Sequence, residues 1–351
     1  MSMFRGKRSF LVMRSRLFSV IRSHGLALHL LSYEDLLSFI DSKDLDQLLD
    51  KLRDAEYRKF FKTRGNLFDN REIEARINKL MYERIFYILS LLDEGMVGMV
   101  RAYLSKYDIE RLRRAIYARK FELEVPKEVF PAEFLPGTYQ LLDMKSKREL
   151  PSKDLEPIFN ALEEWQRSEE KDITLLDMLL ERSYAELLRK KLKTRRIDKW
   201  TKGLFRKYLN GRLVIVCLRA IYCDESDRIS VMQEVMDPET YEILSTAESF
   251  EDALSRLTLS KHPRLAKRIL EVHRKIKEPL LWEFILFSDL LEEASITARR
   301  NFVGAPYIVW YILRTEWEAQ AVRLLIIGKK EGVSDETLRE ILGIASYLTK
   351  Y

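Results

Sequence analysis

Hydrophobic and polar positions follow a helical period along most of the chain, and segments of similar character recur in one order. Short segments with acidic first turns come first, at Asp44–Leu52, Asp154–Leu162 and Phe250–Leu257. Long amphipathic segments follow them, at Glu72–Leu92, Ile173–Leu192 and Leu280–Ile296. Acids in a first turn favour a helix start through the helix dipole. The pattern predicts an all-α fold.

A third kind of segment is an echo with a spacing of about 105 residues. Arg101–Tyr117 and Arg206–Tyr222 align without a gap, and the residues they share are, in the first copy, Arg101, Tyr103, Leu104, Arg114, Ala115, Ile116 and Tyr117. A third copy at Tyr311–Ile327 agrees less closely. The strand-like run Leu213–Val216 falls inside the second copy, so the repeat assigns it to a helix. Three such units nearly fill the chain, which predicts three whole helical subdomains closing around an axis.

Two breaks in the helical pattern set the predicted boundaries of these subdomains. Val125–Gly137 contains three prolines and a glycine, and Asp224–Thr240 places Pro238 among acidic and small residues. Proline and glycine clusters interrupt helices. We therefore predict similar subdomains at 1–124, 125–228 and 229–351.

Composition agrees with a helical, soluble chain. Only 12 of 351 residues are glycine and 9 are proline, while 46% are hydrophobic and 33% charged. The longest apolar runs, Pro306–Leu313 and Leu280–Phe287, are far shorter than the roughly 18 residues that a membrane span needs. Cys217 and Cys223 lie on one predicted helix with their side chains on different faces. This spacing argues against a disulfide or metal site and favours a reduced, cytosolic compartment.

The first 33 residues permit two interpretations. They contain six Lys or Arg residues, several serines and no acid, a composition typical of a mitochondrial transit peptide. The alternative, which we favour, is that Val12–Leu31 forms the first helix of the fold behind a short basic tail. The apolar pattern continues from this segment into Tyr33–Leu52 without a break.

Sequence signatures of catalysis are missing. The chain contains neither of the common glycine-rich phosphate-binding patterns, so direct nucleotide binding is not expected. The four histidines are too scattered to predict a metal site: His24, His29, His262 and His273. No nucleophile, base and orienting group can be recognised together. We expect a protein that is not an enzyme and has no cofactor.

The most basic part of the chain is Arg189–Lys207, where ten Lys or Arg residues face one acid, Asp198. With a net charge of +6, this segment suggests a contact surface for nucleic acid, anionic lipid or an acidic protein. The alternative is a solvated helix–loop–helix face. Aromatic residues are sparse within and beside it: Trp200, Phe205 and Tyr208.

The C-terminal stretch Ala305–Gly332 resembles the last repeat of the C-type subunit of V/A-type ATPases, a family that includes the d-type subunit of the vacuolar enzyme. The positions that fit its pattern are Glu318, Val322, Arg323, Gly328 and Lys329. In the first unit, Tyr103-Leu104, Asp108-Ile109, Leu112-Arg113 and Ala115 are similar to the corresponding family motif, and Leu37–Tyr57 is similar to its early segment. The Asn of the motif is replaced by Arg111, Val216 and Ala321, so the chain is identified as a diverged member, of the archaeal A-type.

The resemblance implies an all-α, funnel-shaped socket of three subdomains with pseudo-threefold symmetry. Such a socket is a non-catalytic rotor subunit that couples the central stalk to the membrane proteolipid ring for ATP-linked proton or sodium transport. It lies peripherally on the cytoplasmic face of the membrane, and no nucleic acid is expected as a partner. A rival interpretation is a helical-repeat nucleic-acid-binding or scaffold protein that uses segment 189–207.

Two sets of interface residues follow from this interpretation. For the stalk we predict a basic wall of the echo helices, with Arg113, Arg114, Arg219 and Arg323 as candidates; the alternative is that they pair with acids between subdomains. For the ring we predict exposed apolar side chains beside Lys127, Arg299 and Arg300, with Phe130, Phe134, Leu135, Phe302 and Tyr307 as candidates. The alternative is that these side chains seal the cores of their own subdomains.

Overall fold

The computed structural model describes residues 17–59, 69–123, 129–169, 172–194 and 197–343. Within these ranges every regular element is helical and no strand is present. The all-α fold class predicted from the sequence is therefore confirmed. Of the predicted first helix, residues 17–27 are helical and residues 12–16 lie outside the described ranges.

The α-helices follow in chain order as α1 (17–27), α2 (Tyr33–Ile40), α3 (Leu45–Asp54), α4 (Asn70–Leu89), α5 (Glu94–Lys120), α6 (Glu156–Arg167), α7 (Ile173–Leu192), α8 (Lys199–Tyr222), α9 (Pro238–Ser245), α10 (Phe250–Leu257), α11 (Pro263–Lys275), α12 (Leu280–Arg300), α13 (Ala305–Lys330) and α14 (Asp335–Gly343). Short 3-10 turns connect them at Glu56–Lys59, Tyr139–Leu142, Lys147–Glu149, Lys153–Leu155 and Ser226–Val235.

Helix starts follow local capping chemistry. Asp44 caps α3 by accepting a hydrogen bond from the backbone N–H of Gln47, as its acidic first turn predicts. The helix predicted to start at Asp154 begins instead as a 3-10 turn, and α6 starts at Glu156. The reason is that the Asp154 carboxylate accepts from Lys191 Nζ at 2.5 Å rather than capping the helix.

The chain divides into two compact units. Unit 1 comprises Met1–Val97, Pro126–Ala132 and Leu290–Tyr351, and unit 2 comprises Gly98–Val125 and Glu133–Asp289. The boundaries fall inside α5 and α12. The three subdomains at 1–124, 125–228 and 229–351, and the pseudo-threefold funnel, remain predictions.

In unit 1, α4 packs along α13 and α14 folds back onto the end of α13. The buried face of α4 contributes Ile73, Ile77 and Ile85, and α13 contributes the fully buried Trp317. At the α14 contact a glycine is required for closeness, because a Cβ on Gly328 would lie 2.6 Å from Leu338 Cδ2. Burial of this apolar surface stabilises the unit.

In unit 2, α7 packs against α6 and α8. The centre is aromatic: the ring of Tyr103 lies 4.8 Å from that of Phe205 and 5.0 Å from that of Tyr208, centroid to centroid. Tyr184 donates its hydroxyl to the backbone oxygen of Tyr103 at 2.9 Å, which satisfies its buried polar atom. A second close approach occurs where a Cβ on Gly211 would lie 2.3 Å from Leu286 Cδ1.

The three echo segments are all helical, within α5, α8 and α13, and their shared isoleucines are buried in each copy: Ile116, Ile221 and Ile326. A second echoed position holds a buried carboxylate in two copies. Asp108 accepts from the backbone N–H groups of Phe134 at 3.0 Å and Leu135 at 2.7 Å. Glu318 accepts from the backbone N–H of Leu31 at 2.7 Å. Two copies of the echo thus fix a distant backbone segment through one acid.

Candidate interaction surfaces

Over the described part of the chain, the helices and acidic side chains offer neither a membrane span nor a metal centre. None of these helices is long and apolar enough to cross a membrane, and the same residues include no cluster of three or more His, Cys, Asp or Glu arranged to hold a metal ion. Cys217 is buried, and burial raises the pKa of its thiol to about 12, so it stays protonated and unreactive.

Two of the four candidate arginines lie side by side on α5 and share a partner. Arg113 places Nη1 2.7 Å from Glu110 and Nε 2.7 Å from Asp177, and its Nη2 lies 3.1 Å from Glu181. Arg114 contacts Glu110 at 2.9 Å. Arg113 is therefore surrounded by three carboxylates inside unit 2.

Glu181 is the centre of this cluster. It accepts two hydrogen bonds from Arg212, at 2.7 and 2.6 Å, in addition to the one from Arg113. Burial alone would raise the pKa of Glu181, but the two guanidinium groups outweigh it and lower the pKa to about 2. Bidentate Arg–carboxylate geometry is among the strongest of hydrogen-bonded arrangements. We name Glu181, Arg113, Arg212 and Asp177 the Glu181 cluster.

The other two candidate arginines differ from one another. Arg219 contacts Glu283 at 2.7 Å and donates to the backbone oxygen of Pro279 at 3.2 Å. Arg323 donates to Asn78 Oδ1 at 2.7 Å, and none of the described carboxylates lies within 4.0 Å of it. Arg113, Arg114 and Arg219 therefore already have acidic partners, while Arg323 has only an amide. The role of all four at a stalk remains a prediction.

Unit 1 contains a cluster that sequence patterns did not bring together. Glu318, fully buried on α13, accepts from Arg84 at 2.6 Å and from the Tyr57 hydroxyl at 3.0 Å, besides the Leu31 N–H. Arg84 also contacts Glu56 at 2.7 Å. We name Glu318, Arg84, Tyr57 and Glu56 the Glu318 cluster.

The signals for the missed residues were weak. Arg84 and Arg212 lie in long amphipathic helices where a cation normally faces solvent. Glu181 interrupts the apolar face of α7, directly after the buried Leu179 and Leu180, and this interruption was the available hint. Buried charges are uncommon unless paired, so an acid on an apolar face predicts a partner without identifying it.

The ring candidates separate into two groups. Phe130, Phe134 and Leu135 are buried, which is the arrangement that the alternative interpretation describes. Phe302, in contrast, is 60% exposed. Tyr307 is half-buried and stacks on His24 with ring centroids 3.6 Å apart.

The surroundings of Phe302 combine apolar and basic side chains. Val303, Arg299 and Arg300 are exposed beside it, and His24 Nε2 lies 3.1 Å from its backbone oxygen. Lys127 lies outside the described residues. The assignment of these residues to a ring contact stays a prediction.

These features define a class of protein: an all-helical scaffold with internally repeated helices and buried charges satisfied as ion pairs. Residues 21–341 match the family model described as ATP synthase (C/AC39) subunit, so the chain belongs to that family. It is 21% identical over 328 residues to the C-type subunit of the A-type ATP synthase of Methanocaldococcus jannaschii, covering 88% of this chain and 81% of the relative. The predicted family is confirmed.

Family and relative together indicate a subunit of an A/V-type ATP synthase. The chain therefore has its partners within that membrane-associated complex.

Proposed function

We propose that this chain is a non-catalytic rotor subunit that couples the central stalk to the proteolipid ring, for ATP-linked transport of protons or sodium ions. The observation that carries the proposal is the family match over residues 21–341. On this proposal the protein lies on the cytoplasmic face of the membrane and transmits torque without chemistry of its own.

The internal packing supports a load-bearing role. A coupler must resist deformation, and close-packed helices have low compressibility. The Glu181 cluster ties α5, α7 and α8 together, and the Glu318 cluster ties α4 to α13. Each cluster joins helices through buried, charge-assisted hydrogen bonds, which fix one relative position of those helices.

For the stalk contact, Arg323 is the leading residue because it has no carboxylate partner among the described residues. A guanidinium in that state gains most from a carboxylate supplied by another protein of the complex. Arg113, Arg114 and Arg219 could join the contact only by sharing acids they already bind.

For the ring contact, the turn around Phe302 is the leading segment. An exposed aromatic beside Arg299 and Arg300 suits a surface that meets short polar loops and anionic headgroups. Tyr307 contributes through its stack with His24, which fixes the position of the turn. Phe130, Phe134 and Leu135 would have to leave the core to take part.

The proposal is tested by purifying a tagged chain from membranes of its native host. We expect stalk and proteolipid proteins to co-purify, and membranes lacking the chain to lose ATP-driven ion pumping. In the same assay Arg323→Glu should weaken stalk association, whereas Arg71→Glu, a reversal at an exposed residue of α4, should not. Pumping that persists without the chain would contradict the coupling role.

A further inference from the structure

Helix α8 contains no acidic residue, and its cations fall into two groups. In the second half of the helix, Arg212 and Arg219 are paired with Glu181 and Glu283. In the first half, Lys199, Lys202 and Arg206 have no carboxylate within 4.0 Å among the described residues. The start of α8 is thus an uncompensated basic surface.

An exposed tryptophan lies within this surface. Trp200, in the first turn of α8, is 51% exposed, and Lys199 Nζ lies 5.0 Å from the centroid of its ring. The acid at this corner, Asp198, caps the helix by accepting from the N–H groups of Trp200 and Thr201 at 3.0 and 2.9 Å. Its charge therefore satisfies the helix terminus rather than the lysines.

The surface is open at its centre. Gly203, one turn beyond Lys199, is exposed, and a Cβ added there would meet nothing within 4 Å. Lys193, at the end of α7, is also exposed and adds to the same corner. None of the described residues covers this face, so a flat partner can approach it.

We propose that the face formed by Lys193, Lys199, Trp200, Lys202 and Arg206 binds the anionic headgroups of a membrane surface. Clustered Lys and Arg near an anionic leaflet are attracted by about 1 kcal/mol each. Tryptophan is enriched at the membrane–water boundary, where its ring is apolar and its N–H is hydrated. A patch that combines both has the chemistry of a peripheral lipid contact.

Nucleic acid fits this face less well. Single-stranded nucleic acid is bound by aromatic platforms on which successive bases stack. Of the three aromatic residues here, Phe205 and Tyr208 are buried in the core, so Trp200 alone can stack. Lysines, which outnumber arginine on this face, act as point charges and lack the planar fork that recognises base edges.

The experiment uses the purified full chain and vesicles of phosphatidylcholine with or without phosphatidylglycerol. We expect co-sedimentation only with the anionic vesicles, weakening as salt is added. Tryptophan fluorescence should shift to shorter wavelength on binding, and Trp200→Phe should abolish that shift. Lys199→Glu with Arg206→Glu should reduce the affinity at least about tenfold, since two attractive charges become repulsive.

A charge-matched control separates this face from net charge. Lys267→Glu with Arg274→Glu changes two exposed cations of α11 in the same unit. Equal losses in both double variants would overturn the proposal, and so would tighter binding of single-stranded DNA than of anionic vesicles. Circular dichroism checks that each variant is folded. The test uses isolated protein, so its outcome does not depend on association with the ATPase.

Discussion

The Glu181 cluster of unit 2 and the Glu318 cluster of unit 1 solve the same problem in different ways. Glu181 is neutralised by two arginines, and Arg212 has no other carboxylate within 4.0 Å among the described residues. Glu318 has one arginine, a tyrosine hydroxyl and a backbone N–H, and Arg84 keeps a second acid in Glu56. The difference teaches that one cluster depends on a single acid, whereas the other has a reserve.

The largest effect is therefore expected at Glu181. Glu181→Gln should lower the free energy of unfolding by roughly 3–5 kcal/mol, because it leaves the buried Arg212 guanidinium without a carboxylate. Urea denaturation measures the change, and Glu271→Gln, at an exposed residue of α11, is the matched control. A loss no larger than that of the control would show that the cluster does not stabilise the fold.

The second expected effect is a pH dependence that distinguishes two acids of unit 2. Burial raises the pKa of Asp108 to about 7, even though its two backbone N–H donors oppose the shift. Its stabilising contribution is therefore complete below its unfolded pKa of 3.8 and is lost as pH rises through 7. Glu181 behaves in the opposite sense: its contribution is complete above pH 4.5 and is lost as pH falls toward 2.

Unfolding free energies of the parent protein, Asp108→Asn and Glu181→Gln are to be measured from pH 3 to pH 8. The advantage of the parent over Asp108→Asn should decrease by on the order of 2–4 kcal/mol across this range. Its advantage over Glu181→Gln should decrease only at the acidic end. Parallel pH curves for all three proteins would refute both assignments.

The third effect tests the reserve in unit 1. Glu318→Gln should cost about 1–3 kcal/mol, because Arg84 keeps Glu56 and the amide oxygen can still accept from Tyr57. Adding Glu56→Gln should then bring the loss to the size seen for Glu181→Gln. If Glu318→Gln alone costs more than Glu181→Gln, the contrast between the two clusters is wrong. Glu340→Gln, on the exposed side of α14, serves as control.

The smallest expected effects concern the echoed isoleucines. Ile116→Val, Ile221→Val and Ile326→Val each remove one methylene from a buried side chain and should cost about 0.5–1.5 kcal/mol. The prediction is similarity: thermal denaturation should give three losses within about 0.5 kcal/mol of each other. One silent position among the three would argue against equivalent packing of the echo.

Local signals in the sequence predicted most of the fold. The predicted bounds of α7 and α10 agree with the structure, because each follows a capping residue, Asp172 and Ser249, and begins an amphipathic run. The echo correctly assigned Leu213–Val216 to a helix despite its β-branched residues. Helix identity is encoded over a few residues, so pattern reasoning recovers it.

Long-range pairing could not be read in the same way. Arg84 and Glu318 are 234 residues apart in sequence, and nothing local to either residue identifies the other. The loop at Phe134 looked like a place for exposed aromatics, yet Asp108 binds its backbone and draws the side chain into the core. Which apolar residue of a loop is buried depends on such distant hydrogen bonds.

The discontinuity of unit 1 has a consequence for the order of events during biosynthesis. Unit 2 is formed almost entirely by one uninterrupted stretch, whereas α4 of unit 1 finds its packing partner α13 more than 200 residues later in translation. Domains fold as units while the chain emerges, and distant contacts impose a large loop-closure cost. The apolar face of α4 therefore waits, exposed, until α13 leaves the ribosome, and this nascent interval is when the chain most needs chaperone protection.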